Sequence, residues 1–383
     1  MLILISALTL FYIIILLILI RGVSQLHEGR SQQTPAVSVI VAARNEEQNI
    51  AACLRALAEQ DYPAVNREII VVDDRSTDGT AEIIHGFIRR YKNIRLLRIK
   101  ETPAGIAPKK YAIQQGIRTS ENNILLFTDA DCVPRRGWIR SIVGYFSDDA
   151  GLVAGFSPLD RARIETIFTK LMCLDSLSLA AVAAGSFGIG FPLTCNARNL
   201  AYRKSVYEQV NGFEDIKHLV SGDDDLFLHK VRDNTDWQIK YAVGNESIVS
   251  SNAPQSFGHF MNQRLRHASK GKHYSTPMIA GLAAVYIFNL LLLLLTILSF
   301  WSPHLLKIFI GAFIVKSCSE FILLLKTARL FSFQSYLKYF PVAAILHIPY
   351  VTIFGLWGQL GKFQWKGAAY HAEMKSESEP RGN

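Results

Sequence analysis

The chain is 383 residues long, half of them hydrophobic, with a formal charge of +9. Its five cysteines (Cys53, Cys132, Cys173, Cys195 and Cys318) are odd in number and lack metal-type spacing, which excludes a disulfide framework and points to a reducing compartment. The apolar residues concentrate at the two ends with Lys and Arg beside them, so the positive balance suits a membrane surface, and no nucleic-acid partner is expected.

Residues 2–20 carry no charge and are about long enough to cross a bilayer. A signal peptide would show a basic start and a small-residue cleavage site. Here Arg21 follows the apolar run and nothing basic precedes it, so the expectation is a retained anchor over residues 1–21. Arg21, Arg30 and Arg44 follow the span, which puts the next domain in the cytoplasm and the N-terminus outside. Residues 22–35 end in Ser31-Gln32-Gln33-Thr34-Pro35 and read as a linker.

The pattern then alternates. Strands are expected at 37–43, 68–74, 94–99 and 124–128. Helices are expected around Ile50, Cys53, Leu54 and Leu57, around Ile83, Ile84 and Phe87 after the cap residues Ser76-Thr77-Asp78, and over 109–117. Strands and helices at this pitch imply an α/β fold with a parallel sheet covered on both faces, in which ligands bind beyond the carboxyl ends of the strands. Arg44-Asn45-Glu46, Asp73-Asp74 and Asp129-Ala130-Asp131 all fall at such ends, so three polar clusters converge on one rim. Singly, each Asp reads as a turn former; jointly, they read as a site. Asp129 and Asp131, if the backbone stays extended, offer a two-oxygen seat for Mg²⁺ or Mn²⁺, ions that take few protein carboxylates and leave positions for water and phosphate. No Gly-rich loop follows the first strand, which disfavours a dinucleotide enzyme. Lys109 and Lys110 read either as phosphate contacts or as a solvated pair at a helix start.

Beyond Asp131 the alternation stops. A strand is expected at 152–156, and a mostly apolar helix at 164–184, lying against the bilayer or covering the sheet. Residues 196–202 precede a helix beginning near Arg203. The acids Asp223, Asp224 and Asp225 read either as an exposed helix N-terminus or as a site in which one carboxylate serves as a base. Residues 256–277 read as an interfacial amphipathic segment with Phe257, Phe260 and Leu265 on its apolar side; Gln263, Arg266 and His267 share roughly one face and could reach phosphates. Further spans are expected at 278–300, 305–325 and 340–360. Lys316 pairs with Glu320 inside the second, Pro341 and Pro349 could break the third into a re-entrant pair, and residues 362–383 form a polar tail.

With these clusters in hand, the middle of the chain resembles the family-two inverting glycosyltransferases of GT-A fold, over roughly residues 36–275, and the flanking spans are similar to those of its membrane-integrated branch. The likeness is carried by residues 37–47, by Val72-Asp73-Asp74-Arg75-Ser76-Thr77-Asp78-Gly79-Thr80, by Thr128-Asp129-Ala130-Asp131, by Gly222-Asp223-Asp224 and by Gln263-Arg264-Leu265-Arg266-His267. It implies a cytoplasmic GT-A domain over 36–255 and a C-terminal membrane region over 278–361. Ala42, Arg44 and Glu46 would line the nucleotide pocket, with Asp74, or Asp73 beside it, accepting from the base. Asp129 and Asp131 would hold the metal on the diphosphate, Asp224 would match the family's base, and Gln263 and Arg266 its Gln-x-x-Arg-Trp signature near acceptor and diphosphate.

Two departures stand out. His267 replaces the Trp expected in processive synthases, which favours single-sugar transfer, and Asp223 stands where Glu is usual, which leaves the base open among Asp223, Asp224 and Asp225. The resemblance thus implies metal-assisted transfer from a UDP- or GDP-sugar to a lipid or lipid-linked hydroxyl at the inner membrane. A processive polysaccharide synthase, a non-catalytic glycan-binding membrane subunit and a nucleotidyl- or phosphosugar-handling enzyme are the rivals.

Overall fold

The computed structural model describes residues 2–160, 165–254, 256–360, 362–365 and 368–371. The elements are α1 (Leu2–Gln25), β1 (Val37–Ala43), α2 (Ile50–Ala58), β2 (Arg67–Asp74), α3 (Thr80–Ile88), β3 (Ile94–Ile99), α4 (Pro108–Thr119), β4 (Ile124–Asp129), β5 (Cys132–Pro134), α5 (Trp138–Val143), β6 (Ala150–Gly155) and α6 (Ile167–Gly188). There follow β7 (Leu200–Arg203), α7 (Lys204–Gln209), α8 (Asp225–Asn234), β8 (Gln238–Ala242), β9 (Val249–Ser251), α9 (Phe257–Ser269), α10 (Thr276–Leu298), α11 (Pro303–Phe331), α12 (Phe340–Leu360), β10 (Lys362–Trp365) and β11 (Ala368–His371). The chain divides into two units. One is Arg21–Ala253 with Lys326–Ser335; the other is Met1–Ile20 with Pro254–Leu325 and Tyr336–Asn383.

The first unit is built on a seven-stranded sheet in the order β3-β2-β1-β4-β7-β6-β8. β3, β2, β1 and β4 run parallel, as the alternation of strands and helices requires. Strand side chains alternate between faces, and β1 uses both. Val37, Val39 and Val41 are buried in a cluster with Ile50, Cys53, Leu54 and Leu57 of α2 and Ile139 and Ile142 of α5. Ile40 meets α4 at Gly116, where a Cβ would come within 2.6 Å of the Ile40 Cγ2, so helix and sheet approach more closely than any other residue permits. The parallel register sets Ala42 opposite both Val72 and Asp129, and Ala43 opposite Asp73, which brings the carboxyl ends of three strands level.

The sheet is mostly parallel, as the GT-A resemblance implies, with β7 running antiparallel to both β4 and β6. An apolar strand of four residues carries no mark of its direction, so its pairing is a tertiary outcome. β4 runs one residue further than expected, to Asp129, and β6 starts two residues earlier. The apolar helix expected at 164–184 is α6; residues 161–164 lie outside the described residues, and the helix runs from Ile167 to Gly188. Of its two expected positions, the structure supports covering the sheet. Met172, Leu174, Leu177 and Phe187 are buried, and Phe187 packs edge-on against Tyr241 of β8 at 5.2 Å. Phe331 and Phe333, at the end of α11, return to this unit and pack on Phe156.

In the second unit the amphipathic segment is α9, whose Phe260 and Leu265 are buried while Phe257 is 64% exposed. Phe260 packs on Phe354 of α12 at 6.1 Å, so the apolar face is covered by a helix rather than left open. The re-entrant reading of the last span is overturned. α12 is one helix with Pro349 inside it, and Pro341 falls in its first turn, where no backbone donor is needed. Lys316 and Glu320 pair as expected at 2.7 Å, and Glu320 also accepts from the Tyr12 hydroxyl at 2.5 Å while Lys316 donates to His347 Nδ1 at 3.1 Å. Among the described residues, five helices are long and apolar enough to cross a membrane: Leu2–Gln25, Ile167–Gly188, Thr276–Leu298, Pro303–Phe331 and Gln334–Gly358. The expected tail at 362–383 begins with β10 and β11, paired antiparallel, and residues 372–383 lie outside the described residues.

Candidate active site

The loops after β1 and β2 are tied to each other. Asn45, in the left-handed region at φ 54°, donates its N–H to the Ser76 hydroxyl oxygen at 3.0 Å and accepts the Thr77 N–H on its side-chain oxygen at 2.9 Å. Glu46 N–H donates to Thr80 Oγ1 at 2.8 Å, and the Glu46 carboxylate receives Asn49 Nδ2 at 2.9 Å. Hydrogen bonds from Thr80 and from the Glu47 and Thr80 backbone offset the burial of Asp78 and hold its carboxyl below the usual range. Cross-linking of this kind fixes a rim that would otherwise be two independent loops.

Within that rim the two adjacent aspartates do different work. Asp73 is buried, with one oxygen accepting from Ser76 N–H at 3.1 Å and the other 3.4 Å from Arg98 Nε, so it closes the turn. Asp74 accepts from Arg75 Nε at 2.8 Å and lies 3.9 Å from Arg44. Of the pair, Asp74 is the one placed beside Arg44, at the end of β1.

At the tip of β4 the backbone does not stay extended. Ala130 and Asp131 form a turn before β5, which corrects the simple alternation expected of the two carboxylates. Both nevertheless act on the same neighbours. Burial raises the Cys53 thiol, with Asp131 and Asp129 adding to the effect, and Cys132 Sγ donates to Asp131 Oδ1 at 3.3 Å. Burial alone would favour a neutral Arg198, but Cys132, Asp131, Asp129 and Asp224 hold its guanidinium above its ordinary value. Arg198 Nε is 3.9 Å from Asp129 Oδ2, while its Nη1 donates to Ser251 Oγ at 2.8 Å.

The reading of Lys109 and Lys110 as a solvated pair is corrected. Lys110 is 1% exposed and its ammonium donates to the carbonyls of Leu219 and Ser221, the latter at 2.7 Å. Lys109 points the other way, its Nζ 2.9 Å from Asp129 Oδ1 and 3.1 Å from Asp223 Oδ2. The first turn of α4 therefore clasps the segment that carries the acids, and Ala107 N–H adds a bond to Lys217 O at 2.7 Å.

The acid cluster stands at the N-terminus of α8, as one of its two readings required, but it is not an exposed one. Gly222 has φ 91°, and a Cβ there would meet Leu226 Cδ1 at 2.5 Å, so the turn that presents the acids demands glycine. Asp225 is 1% exposed and accepts from Leu226 N–H at 2.9 Å, turned into the domain. Asp223 is 8% exposed and faces Lys109. Asp224 is half-buried and caps the helix, accepting from Asp225 N–H at 2.8 Å.

A cleft at the ends of β1 and β4 is lined among others by Ala42, Lys109, Thr128, Asp129, Tyr202 and Asp223. Ala42, Asp129 and Asp223 are thus brought together, with Arg44, Glu46 and Asp74 on the same strand ends. Gln263, Arg266 and His267 lie on α9, in the second unit, each partly exposed. Arg198 was missed by sequence reasoning; its one signal is a cation inside the polar run Asn196-Ala197-Arg198-Asn199 directly before an apolar strand. Asp129 and Asp131 are the oxygen donors that would hold a hard divalent cation; the Lys109 ammonium stands between Asp129 and Asp223, and among the described residues no group of three or more His, Cys, Asp or Glu side chains is placed to hold a metal ion.

Residues 38–169 match the family model described as Glycosyl transferase family 2. Over 239 residues the chain is 30% identical to Glycosyltransferase AglE of Haloferax volcanii, covering 61% of this chain and 71% of that protein. It is 31% identical over 113 residues to Beta-monoglucosyldiacylglycerol synthase of Synechocystis sp., covering 30% of this chain and 23% of that protein. In fold it is similar to Mannosyltransferase PcManGT from Pyrobaculum calidifontis, solved in complex with GDP-Man and Mn2+, with a TM-score of 0.55, 20% identity, and coverage of 92% of this chain and 98% of that one.

Proposed function

Because the chain belongs to glycosyl transferase family 2 and is a glycosyltransferase of GT-A-like fold, we propose that it moves one sugar from a UDP- or GDP-sugar to a membrane-associated hydroxyl, lipid or lipid-linked, with inversion. The observation that carries this reading is the meeting of Asp129 and Asp223 around Lys109 at the strand ends that also bear Arg44 and Asp74. The lipid acceptor is supported by the apolar helices and by the likeness to a diacylglycerol-modifying synthase. A divalent ion on Asp129 and Asp131, when bound, neutralises the charge that develops on the leaving diphosphate.

In this reading Arg44 and Asp74 hold the nucleotide base, and Arg198 and Lys109 supply fixed positive charge beside the diphosphate. Asp224 takes the proton of the acceptor hydroxyl on its carboxylate as the acceptor oxygen bonds to the anomeric carbon. The bond from that carbon to the phosphate oxygen breaks on the opposite side, and the nucleotide diphosphate leaves with the electron pair. One in-line displacement inverts the centre. Asp224 is preferred to Asp225 because Asp225 is turned inward, and to Asp223 because that carboxylate already faces Lys109. Gln263, Arg266 and His267 are assigned to acceptor and diphosphate on the signature they resemble.

The test incubates membranes containing the protein with a panel of nucleotide sugars, scoring donor consumption with and without Mn²⁺, together with mass spectrometry of the lipids. Consumption of one donor with a new glycolipid is the expected result. No consumption of any donor, in membranes where the folded protein is present, refutes it.

A further inference from the structure

We propose that Ser251 is a positioning residue for the transfer: its hydroxyl fixes the direction of the Arg198 guanidinium, and so the aim of the positive charge beside the leaving diphosphate. The inference rests on the transferase reading above and not on the metal assignment. Arg198 stands in the short turn Ala197–Asn199 ahead of β7, its side chain 17% exposed, where Asp131, Asp129 and Asp224 all act on it. A guanidinium presents its N–H groups as a rigid planar fork, so the partner of one arm decides where the others face. The ion pair with Asp129 is loose, Nε standing 3.9 Å from Oδ2, whereas Nη1 donates to Ser251 Oγ at 2.8 Å. The tight contact is therefore the one with a neutral hydroxyl, and it sets the direction of the charge.

The backbone beneath Arg198 is already held. The Arg198 N–H donates to Asn196 Oδ1 at 3.1 Å. Its neighbour Asn199 is fully buried; the Asn199 amide donates to the Phe156 and Ser247 carbonyls at 2.9 and 2.8 Å, and its oxygen accepts from Trp138 Nε1 at 2.9 Å. What freedom remains lies in the long arginine side chain. Ser251 is as firmly placed: it is 1% exposed, pairs across β9 and β5 with Cys132, donates its N–H to Pro158 O at 2.9 Å and accepts the Asp160 N–H on its carbonyl at 2.8 Å. Its hydroxyl donates to the same Pro158 carbonyl at 3.3 Å, which leaves the oxygen lone pairs to accept from Arg198. Without that hydroxyl the guanidinium is free to turn onto the neighbouring carboxylates. Stabilisation of a leaving group depends on charge that is aimed before the bond breaks, so a cation that has turned away contributes less.

The test compares wild type, Ser251→Ala, Arg198→Met and the double variant as purified full chain in detergent, with a membrane lipid extract as the source of acceptor. Turnover is read as UDP or GDP released from the nucleotide sugar that wild type consumes, and affinity for UDP and GDP, whose free diphosphate carries the charge of the leaving group, by titration calorimetry. Ser251→Ala should lower kcat about ten-fold with donor KM within about two-fold of wild type, and weaken nucleoside diphosphate binding about ten-fold. Ser251→Thr, which keeps the hydroxyl, should restore both. In the Arg198→Met background Ser251→Ala should cost nothing further, because one residue acts through the other; a loosened strand would cost the same factor in both backgrounds. Equal losses of affinity in the two backgrounds, or kcat unchanged by Ser251→Ala, overturn the proposal and leave the transferase reading intact. Absence of turnover by wild type with every nucleotide sugar overturns the reading on which it rests.

Discussion

Replacing Lys110 by methionine removes an ammonium that is 1% exposed and donates to the carbonyls of Leu219 and Ser221, the latter at 2.7 Å. Hydrogen bonds from a charged donor contribute about 1.5–3 kcal/mol each, and two are lost. Methionine fills nearly the same volume, so cavity formation adds little, and the cost of burying the charge is recovered in part. The balance is a loss of roughly 2–4 kcal/mol, because two buried carbonyls are left without a donor. At about 2–4 °C per kcal/mol for a unit of this size, the melting temperature should fall by roughly 4–16 °C. Thermal unfolding followed by circular dichroism of the purified full chain reads the shift. Donor binding by titration calorimetry should change little, while donor turnover should drop, since the released segment leads directly into Gly222 and the acids. A melting temperature within about 2 °C of wild type would refute the reasoning, because it would mean that the two carbonyls find water or other donors at no cost.

Asp224→Asn should abolish transfer with donor affinity nearly unchanged, and it should keep the fold, because asparagine caps a helix as well as aspartate; Asp224→Ala should lose about 1 kcal/mol of stability in addition. Substantial turnover by the Asn variant, measured as glycolipid formed, would show that another group takes the proton. For Asp131→Ala, loss of Mn²⁺-dependent donor binding is expected, and metal-independent binding in both wild type and variant would count against the carboxylate seat. Tyr145 gives a pH signature. Burial, partly opposed by the Val243 N–H it accepts, pushes its hydroxyl up to about 12. Its contribution to stability is therefore whole below about pH 10, where an unfolded tyrosine begins to ionise, and lost as pH rises towards 12. Melting temperatures from pH 9 to 12 should fall more steeply for wild type than for Tyr145→Phe, and parallel curves would contradict this.

Much of the site could be read in the chain because its parts sit at the ends of regular elements. Apolar runs such as 37–43 and 124–129 must be strands, parallel strands in alternation with helices must end on one side, and whatever follows them must share a rim. Asp74 and Asp129 were singled out in this way, and the acids near 224 as three adjacent carboxylates before a helix. Lys109 and Lys110 were not separable, since adjacent residues at a helix start look alike until the helix is docked. Docking sends one ammonium to carboxylates and the other to carbonyls. Arg198 stayed hidden for a related reason. It reaches Asp129 from a short turn before β7, and no local pattern shows that β7 pairs antiparallel with β4.

The amino-acid sequence by itself determined the α/β alternation, the apolar spans and the residue types available at each strand end, because these follow from side-chain periodicity and transfer energetics, which are local. Only the tertiary structure decided which charges oppose which. It separated Asp74 from the turn-closing Asp73, turned Asp225 inward, covered the sheet with α6 and set Lys109 between Asp129 and Asp223. Those outcomes depend on distances between residues far apart in the chain. A Coulomb interaction between groups at 3 Å in a cleft outweighs any propensity of the residues that carry them.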